Sequence, residues 1–202
     1  MASTTTQTSI ANRALQLLGY KPIGSINDND RGARAILRAY EPVVLQELRG
    51  HWWSFAIKRA NLAASATPPL FGKANYYPLP PDFLDLAPPD PTFGANGGGP
   101  ISGPPPIVDW QIEGNQIATD DQGPLQIRYI WRAPESLWDV CFCESTSAKI
   151  AIMTCEELTQ SNTKIATISQ IYDQQIALAK RRNAFENRPV QPQLDSWISA
   201  RF

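Results

Sequence analysis

Apolar positions recur at helical spacing near both ends of the chain and alternate through its middle. Ile10, Ala14, Leu17 and Leu18 fall on one face of a helix. Thr8 or Ser9 is placed to cap that segment and Gly19 to stop it, so a short amphipathic helix is expected. After the breakers Pro22 and Gly24, the run Asn27-Asp28-Asn29-Asp30 offers several capping groups. The stripe Ala33, Ile36, Leu37, Tyr40, Val44 and Leu48 then predicts a longer helix to about Arg49. Pro42 lies inside it, and a missing N–H with a ring clash costs ~3 kcal/mol in an undistorted helix, so a kink or a new start is expected there.

The run His51-Trp52-Trp53-Ser54-Phe55 crowds large aromatic side chains into a few positions and reads as a core plug at a helix-to-strand corner. Phe55 to Ala60 begins to alternate, as a strand does. Tyr76 to Leu86 is aromatic and interrupted by Pro78, Pro80 and Pro81, which confines it to edge or turn geometry with Phe83, Leu84 and Leu86 available to a core. Pro88 to Pro106 is dense in proline and glycine and nearly free of charge, the composition of a long exposed loop. Val108 to Gln111 and Gln116 to Thr119 flank a Gly114-Asn115 turn signal, and Leu125 to Trp131 alternates clearly. These three segments are expected to form an antiparallel meander.

Past Ala133-Pro134 the pattern turns helical again. One helix is expected from Trp138 or Val140 to Glu157, with Ser147, Ala148 and Ala151 small enough for close helix approach. Ser161-Asn162 interrupts before a final helix striped by Ile165, Ile168, Tyr172, Gln175 or Ile176, and Ala179, with Lys180-Arg181-Arg182 near its C-terminal turn. The tail from Pro189 carries Leu194, Trp197, Ile198 and Phe202, an apolar content that suits docking. The expected fold class is α+β, with about four helices, and 202 residues suit one folded unit.

Charge narrows the function. A formal net charge of −1 leaves no electrostatic footprint for tight, sequence-independent nucleic-acid binding. Lys180-Arg181-Arg182 with Arg188 reads equally as a basic stripe or as a solvated helix end. Cys141, Cys143 and Cys155 are odd in number and cluster in one helix, which suits reduced thiols and lacks zinc-site spacing. Neither a signal-peptide apolar region nor a run of ~20 apolar residues is present, so a soluble protein without membrane contact is expected.

Groups for catalysis are scarce. The single histidine, His51, has no acid, nucleophile or further ligand patterned around it and reads as structural. Gly97-Gly98-Gly99 lacks the lysine and helix of a phosphate loop, and Asp28, Asp30, Asp120 and Asp121 sit where caps and turns use them. No catalytic, cofactor-binding or metal-binding residue is assigned, and a non-enzymatic role is expected.

The order of features resembles the tail tubular protein A family of podoviruses, the gatekeeper-type head-to-tail adaptors. The residues that carry the likeness are Asn12 to Gly19, Ile23, Asp30 to Leu48, Trp53-Ser54-Phe55-Ala56 with Lys58-Arg59 and Leu62, and Tyr77 to Leu84. It continues through Trp110 to Asp120, Tyr129, Trp138 to Leu158 and the helix to Glu186. Each motif alone is modest, whereas the collinear series is specific. The proline and glycine segment 88–106 departs from it as an insertion.

The resemblance implies a helical bundle, residues 1–53 plus 134–188, carrying an inserted antiparallel β domain, residues 54–133, with a C-terminal docking tail, 189–202. It implies a dodecameric ring of this chain between the portal protein and the tail nozzle, with tail fibres as further neighbours. Genomic DNA would pass through the lumen without tight binding, and no cofactor is needed. The protein would reside in the virion tail after assembly in the host cytoplasm. A head-completion or connector protein of another tailed phage is the alternative. Interface candidates are Trp197, Ile198 and Phe202 in the tail, Phe93 and Pro104 in the loop, and Arg181 and Arg182 on the last helix. The tail's aromatic residues fit a self-packing flap and an anchor into another subunit equally.

Overall fold

The structure, a computed structural model, describes residues 5–87 and 109–186. Helix α1, Gln7–Leu18, is capped by Thr6 and so begins two or three residues earlier than the Thr8 or Ser9 cap predicts. Thr6 and Ser9 cap it reciprocally: the Thr6 hydroxyl accepts the Ser9 N–H at 3.1 Å and the Ser9 hydroxyl accepts the Thr6 N–H at 2.9 Å. Gly19 stops the helix with φ 68°, a conformation that a side chain would penalise.

Helix α2, Arg31–Arg49, is capped by the Asp30 carboxylate, which accepts the Gly32 N–H at 2.9 Å. It runs through Pro42 without a new start. Pro42 and Arg38 both lie on the exposed face, so the Arg38 carbonyl that loses its helical donor can turn to water.

Helix α3, Val140–Thr159, and helix α4, Asn162–Glu186, follow the strands. α3 is the hub, packed against α1, α2 and α4. Its buried face is built from Ser145, Thr146, Ser147, Ala148, Ala151 and Thr154, whose small size lets three helices approach. The hydroxyls of Ser145, Ser147 and Thr154 donate to carbonyls of α3 itself at 2.8 to 2.9 Å, so these polar atoms need no partner from a neighbour.

The aromatic corner divides. Trp53 is buried against Phe142, ring centroids 4.8 Å apart, and its Nε1 donates to the Glu47 carbonyl at 2.9 Å. Trp52 stays 53% exposed, contrary to its expected place in the plug. The Trp53 N–H donates to the His51 carbonyl at 3.0 Å, a tight turn centred on Trp52 that sends the two side chains in different directions. Ser54–Ala56 forms a 3-10 turn, which delays the first strand to Ile57.

Among the described residues there are six strands: β1 (Ile57–Leu62), β2 (Asn75–Pro78), β3 (Phe83–Leu86), β4 (Trp110–Glu113), β5 (Gln116–Thr119) and β6 (Leu125–Trp131). They form two three-stranded antiparallel sheets, β1-β6-β3 and β2-β5-β4. The expected hairpin β4–β5 forms, but β6 does not join it as a meander. The turn through Gly123 and the cis Gly123–Pro124 bond leads β6 into the other sheet, where Ile130 pairs with Ile57 and Trp131 with Phe83. There Ile130 reaches the bundle core, a burial that pairing with β5 would forgo. The proline-flanked β2 and β3 are edge strands, as expected. A second, smaller core of Leu62, Tyr77, Leu79 and Ile117 lies among the strands. The fold is α+β, and among the described residues it has four helices with antiparallel strands between the second and third.

Candidate interaction surface

Two polar clamps fix the points where the chain leaves and re-enters the helices. At the exit, the Asn183 side chain of α4 accepts the Ser54 N–H at 2.7 Å and donates to the Trp52 carbonyl at 2.9 Å. Its second amide hydrogen faces His51 Nε2 at 3.0 Å, which assigns the imidazole proton to Nδ1. Burial, and then Lys180, hold the His51 pKa below its ordinary 6.5. At re-entry, Arg132 binds Glu41 through Nε and Nη2 at 3.0 and 3.2 Å and Glu135 at 2.6 Å. Tyr40 and Gln7 donate to the same Glu135 oxygen at 3.2 Å. Burial would raise the Glu135 carboxyl, yet the Arg132 hydrogen bond keeps it below the ordinary range.

Beside the exit clamp lies an open cleft of about 170 Å³ lined by Glu47, His51, Lys149, Tyr172 and Lys180 among others. Glu47 is only 7% exposed, and burial raises its pKa. The Tyr172 hydroxyl donates to its carboxylate, and Lys149 lies 5.0 Å over the Tyr172 ring. Among the described residues, none of the clusters of acidic, histidine and cysteine side chains has the makings of a metal site.

Arg181 and Arg182 are exposed on α4. They do not occupy the C-terminal turn, because α4 continues at least to Glu186 and the cations sit a turn inside it. Leu178 and Phe185 share their face at helical spacing, and Phe185 is 86% exposed. Trp197, Ile198, Phe202, Phe93 and Pro104 lie outside the described residues, as do the whole 88–106 loop and the tail 189–202.

The β region adds exposed apolar groups that sequence patterns did not single out. Leu70 and Phe71, 97% and 88% exposed, crown the loop before β2, where Gly72 takes φ 86°. The loop's base is pinned by Lys73, which bridges Asp109 and Asp120, and by the Ala74 N–H on Asp120 at 3.0 Å. Trp110 and Ile112 on β4 are also exposed. A signal for the first pair was present, since Leu70-Phe71 between prolines and glycine has no periodic partner. The buried polar residues Glu47 and Asn183 were legible as well, because each falls in phase with an apolar stripe. No helix among the described residues is long and apolar enough to cross a membrane.

Compared with known families and characterised proteins, the chain matches no family model and no curated protein.

Proposed function

We propose that the chain is a structural subunit of a head-to-tail adaptor ring, joining the portal to the tail nozzle of a short-tailed bacteriophage. The collinear series from Asn12-Arg13-Ala14-Leu15 through Trp53-Ser54-Phe55-Ala56 and Tyr77-Pro78-Leu79-Pro80 to the last two helices supports the reading. The observation that carries it further is the pair of unlike apolar patches. Leu178 and Phe185 mark one on the last helix, and Leu70, Phe71, Trp110 and Ile112 mark another in the β region. A ring closes through heterologous contacts, which need two different complementary surfaces on every copy. The near-neutral chain, net charge −1, suits a lumen through which DNA slides, since dense phosphate contacts would retain it.

The test is the mass of the purified protein, alone and after mixing with the portal protein of the same genome. A closed multimer that co-migrates with the portal supports the reading. Failure to bind the portal, with the protein absent from the joint in electron micrographs of the particle, overturns it.

A further inference from the structure

Among the described residues four strands have an outer edge, and three of them are blunted. β1 carries Lys58 and Arg59, β2 ends in Pro78 and has its Tyr76 carbonyl occupied by the Ser65 N–H at 2.7 Å, and β3 has a register irregularity between Phe83 and Asp85. Charges, prolines, bulges and covering loops are the devices that keep edges from pairing with other chains. Among the described residues β4, Trp-Gln-Ile-Glu, has no proline and no register shift, its one charge is Glu113 beside the turn, and no strand lies on its outer side.

The hairpin register says which groups that edge offers. Glu113 and Gln116 close a two-residue turn, in which Gly114 has the φ of 60° that a II′ turn requires at its first central position. Such a closing pair exchanges both backbone bonds, so the alternate residues Trp110 and Ile112 direct their N–H and C=O groups outward. The Thr119 hydroxyl donates to the Asp109 carbonyl at 3.2 Å, which places that carbonyl on the β5 side, as the alternation demands.

Side chains set the chemistry of an incoming strand. Trp110 and Ile112 lie on the face of Ile117 and Tyr77 but remain exposed, an apolar strip extending past the small core. The opposite face presents Asp109, Gln111 and Glu113. Across the loop and strands of this sheet, Lys73 stands alone against Asp109, Glu113, Asp120 and Asp121. Pairing of β4 with β4 of a second copy in the register that uses the whole strand, Gln111 on Gln111, would set Asp109 against Glu113, and like charges directly opposite destabilise a sheet.

We infer that the edge of β4, open among the described residues, is a strand-addition site for an extended segment of a partner polypeptide with the pattern basic, apolar, polar, apolar, basic. Apolar residues of that segment extend the strip of Trp110 and Ile112, its basic residues meet Asp109 and Glu113, and its backbone bonds Trp110 and Ile112. The inference does not depend on the adaptor reading.

The test uses the full chain, amide-resolved NMR, and a synthetic peptide Ser-Lys-Val-Thr-Val-Lys-Ser, with the same peptide carrying glutamate for lysine as control. The lysine peptide is expected to perturb residues 109–113 and to slow hydrogen exchange at Trp110 and Ile112, with the glutamate peptide binding at least several-fold more weakly. Ile112→Pro removes one outward N–H and abolishes binding, while unchanged Tyr77 and Ile117 signals certify the fold. Glu113→Lys weakens the lysine peptide several-fold. Equal binding of the two peptides, or no perturbation at millimolar peptide, overturns the inference. So does protection of Trp110 and Ile112 without peptide, whether independent of concentration, meaning cover by the chain itself, or rising with it, meaning self-pairing.

Discussion

The Tyr172 hydroxyl on α4 reaches both oxygens of the Glu47 carboxylate on α2, at 2.9 and 3.2 Å, across the cleft beside the exit clamp. It is the hydrogen-bond donor that the structure gives this buried acid from another helix. Burial therefore dominates, and the Glu47 pKa lies above the ordinary carboxylate value of 4.5.

Tyr172→Phe is expected to destabilise the fold by about 1–3 kcal/mol at neutral pH, the cost of an unsatisfied buried group. Because the folded-state pKa is raised, Glu47 binds its proton more readily in the folded chain, and its penalty fades as pH falls through the folded value toward 4.5. The difference between variant and wild type should shrink over that window. Urea denaturation at several pH values reads it.

His51 titrates with the opposite sign. Its folded pKa is depressed, so the unfolded chain takes up the proton first, and the stability it contributes is complete above about pH 6.5 and lost as pH falls through the folded value. His51→Gln is expected to remove this slope, seen as the difference between the two proteins' unfolding midpoints against pH.

Asn183→Ala strips a donor and an acceptor from the exit corner and leaves the Ser54 N–H and Trp52 carbonyl without their side-chain partner. A loss of about 1–3 kcal/mol is expected, again the cost of unsatisfied buried groups. Asn183→Asp keeps the acceptor and should recover part of it. A loss no greater than that of an exposed alanine substitution on α4 would show that the clamp contributes little.

Gly123→Ala tests the turn between the sheets. A Cβ there would lie 2.9 Å from Cε1 of Tyr77, whose ring is fully buried and whose hydroxyl donates to the Asp121 carbonyl at 2.9 Å. With no room to retreat, the ring must displace its neighbours, and about 1–3 kcal/mol of destabilisation is expected. Thermal unfolding followed by tyrosine near-UV signals reports it.

Leu178→Glu and Phe185→Glu separate folding from assembly. Both side chains are exposed, so stability should move by no more than about 0.5 kcal/mol. Under the adaptor proposal, recovery of the ring with the portal should fall. Undiminished recovery would remove this face of α4 from the list of contacts.

Helices were the legible part of the sequence because their signals are local. Asp30, Gly19 and the apolar stripes are each readable within a few turns, and even the misplaced first cap erred only between neighbouring hydroxyl residues. Strand partnership was not local. The alternation of Leu125 to Trp131 identifies a strand but is silent on which neighbour it joins, and the choice falls to burial of Ile130 against helices distant in sequence. The pairing of Trp52 and Trp53 misled for a related reason: composition counts aromatic area, while backbone direction admits only one of the two. Arg181 and Arg182 are exposed, and for the exposed pair Leu70 and Phe71 the signal was an absence of periodic partners, which is easily passed over on a loop tip.

The chain passes from helices to strands at Ser54 and back at Ala133, and the two crossings are not independent. β1 and β6, which carry them, are paired from Ile57–Ile130 to Leu62–Leu125, and each crossing is clamped to a different helix, α4 through Asn183 and α2 through Glu41. A single covalent crossing acts as a swivel, whereas two laced strands anchored on separate helices resist rotation about either one. Torque applied to the strands is thereby delivered to the bundle as a whole, and twisting should meet a stiff arm long before the core is strained.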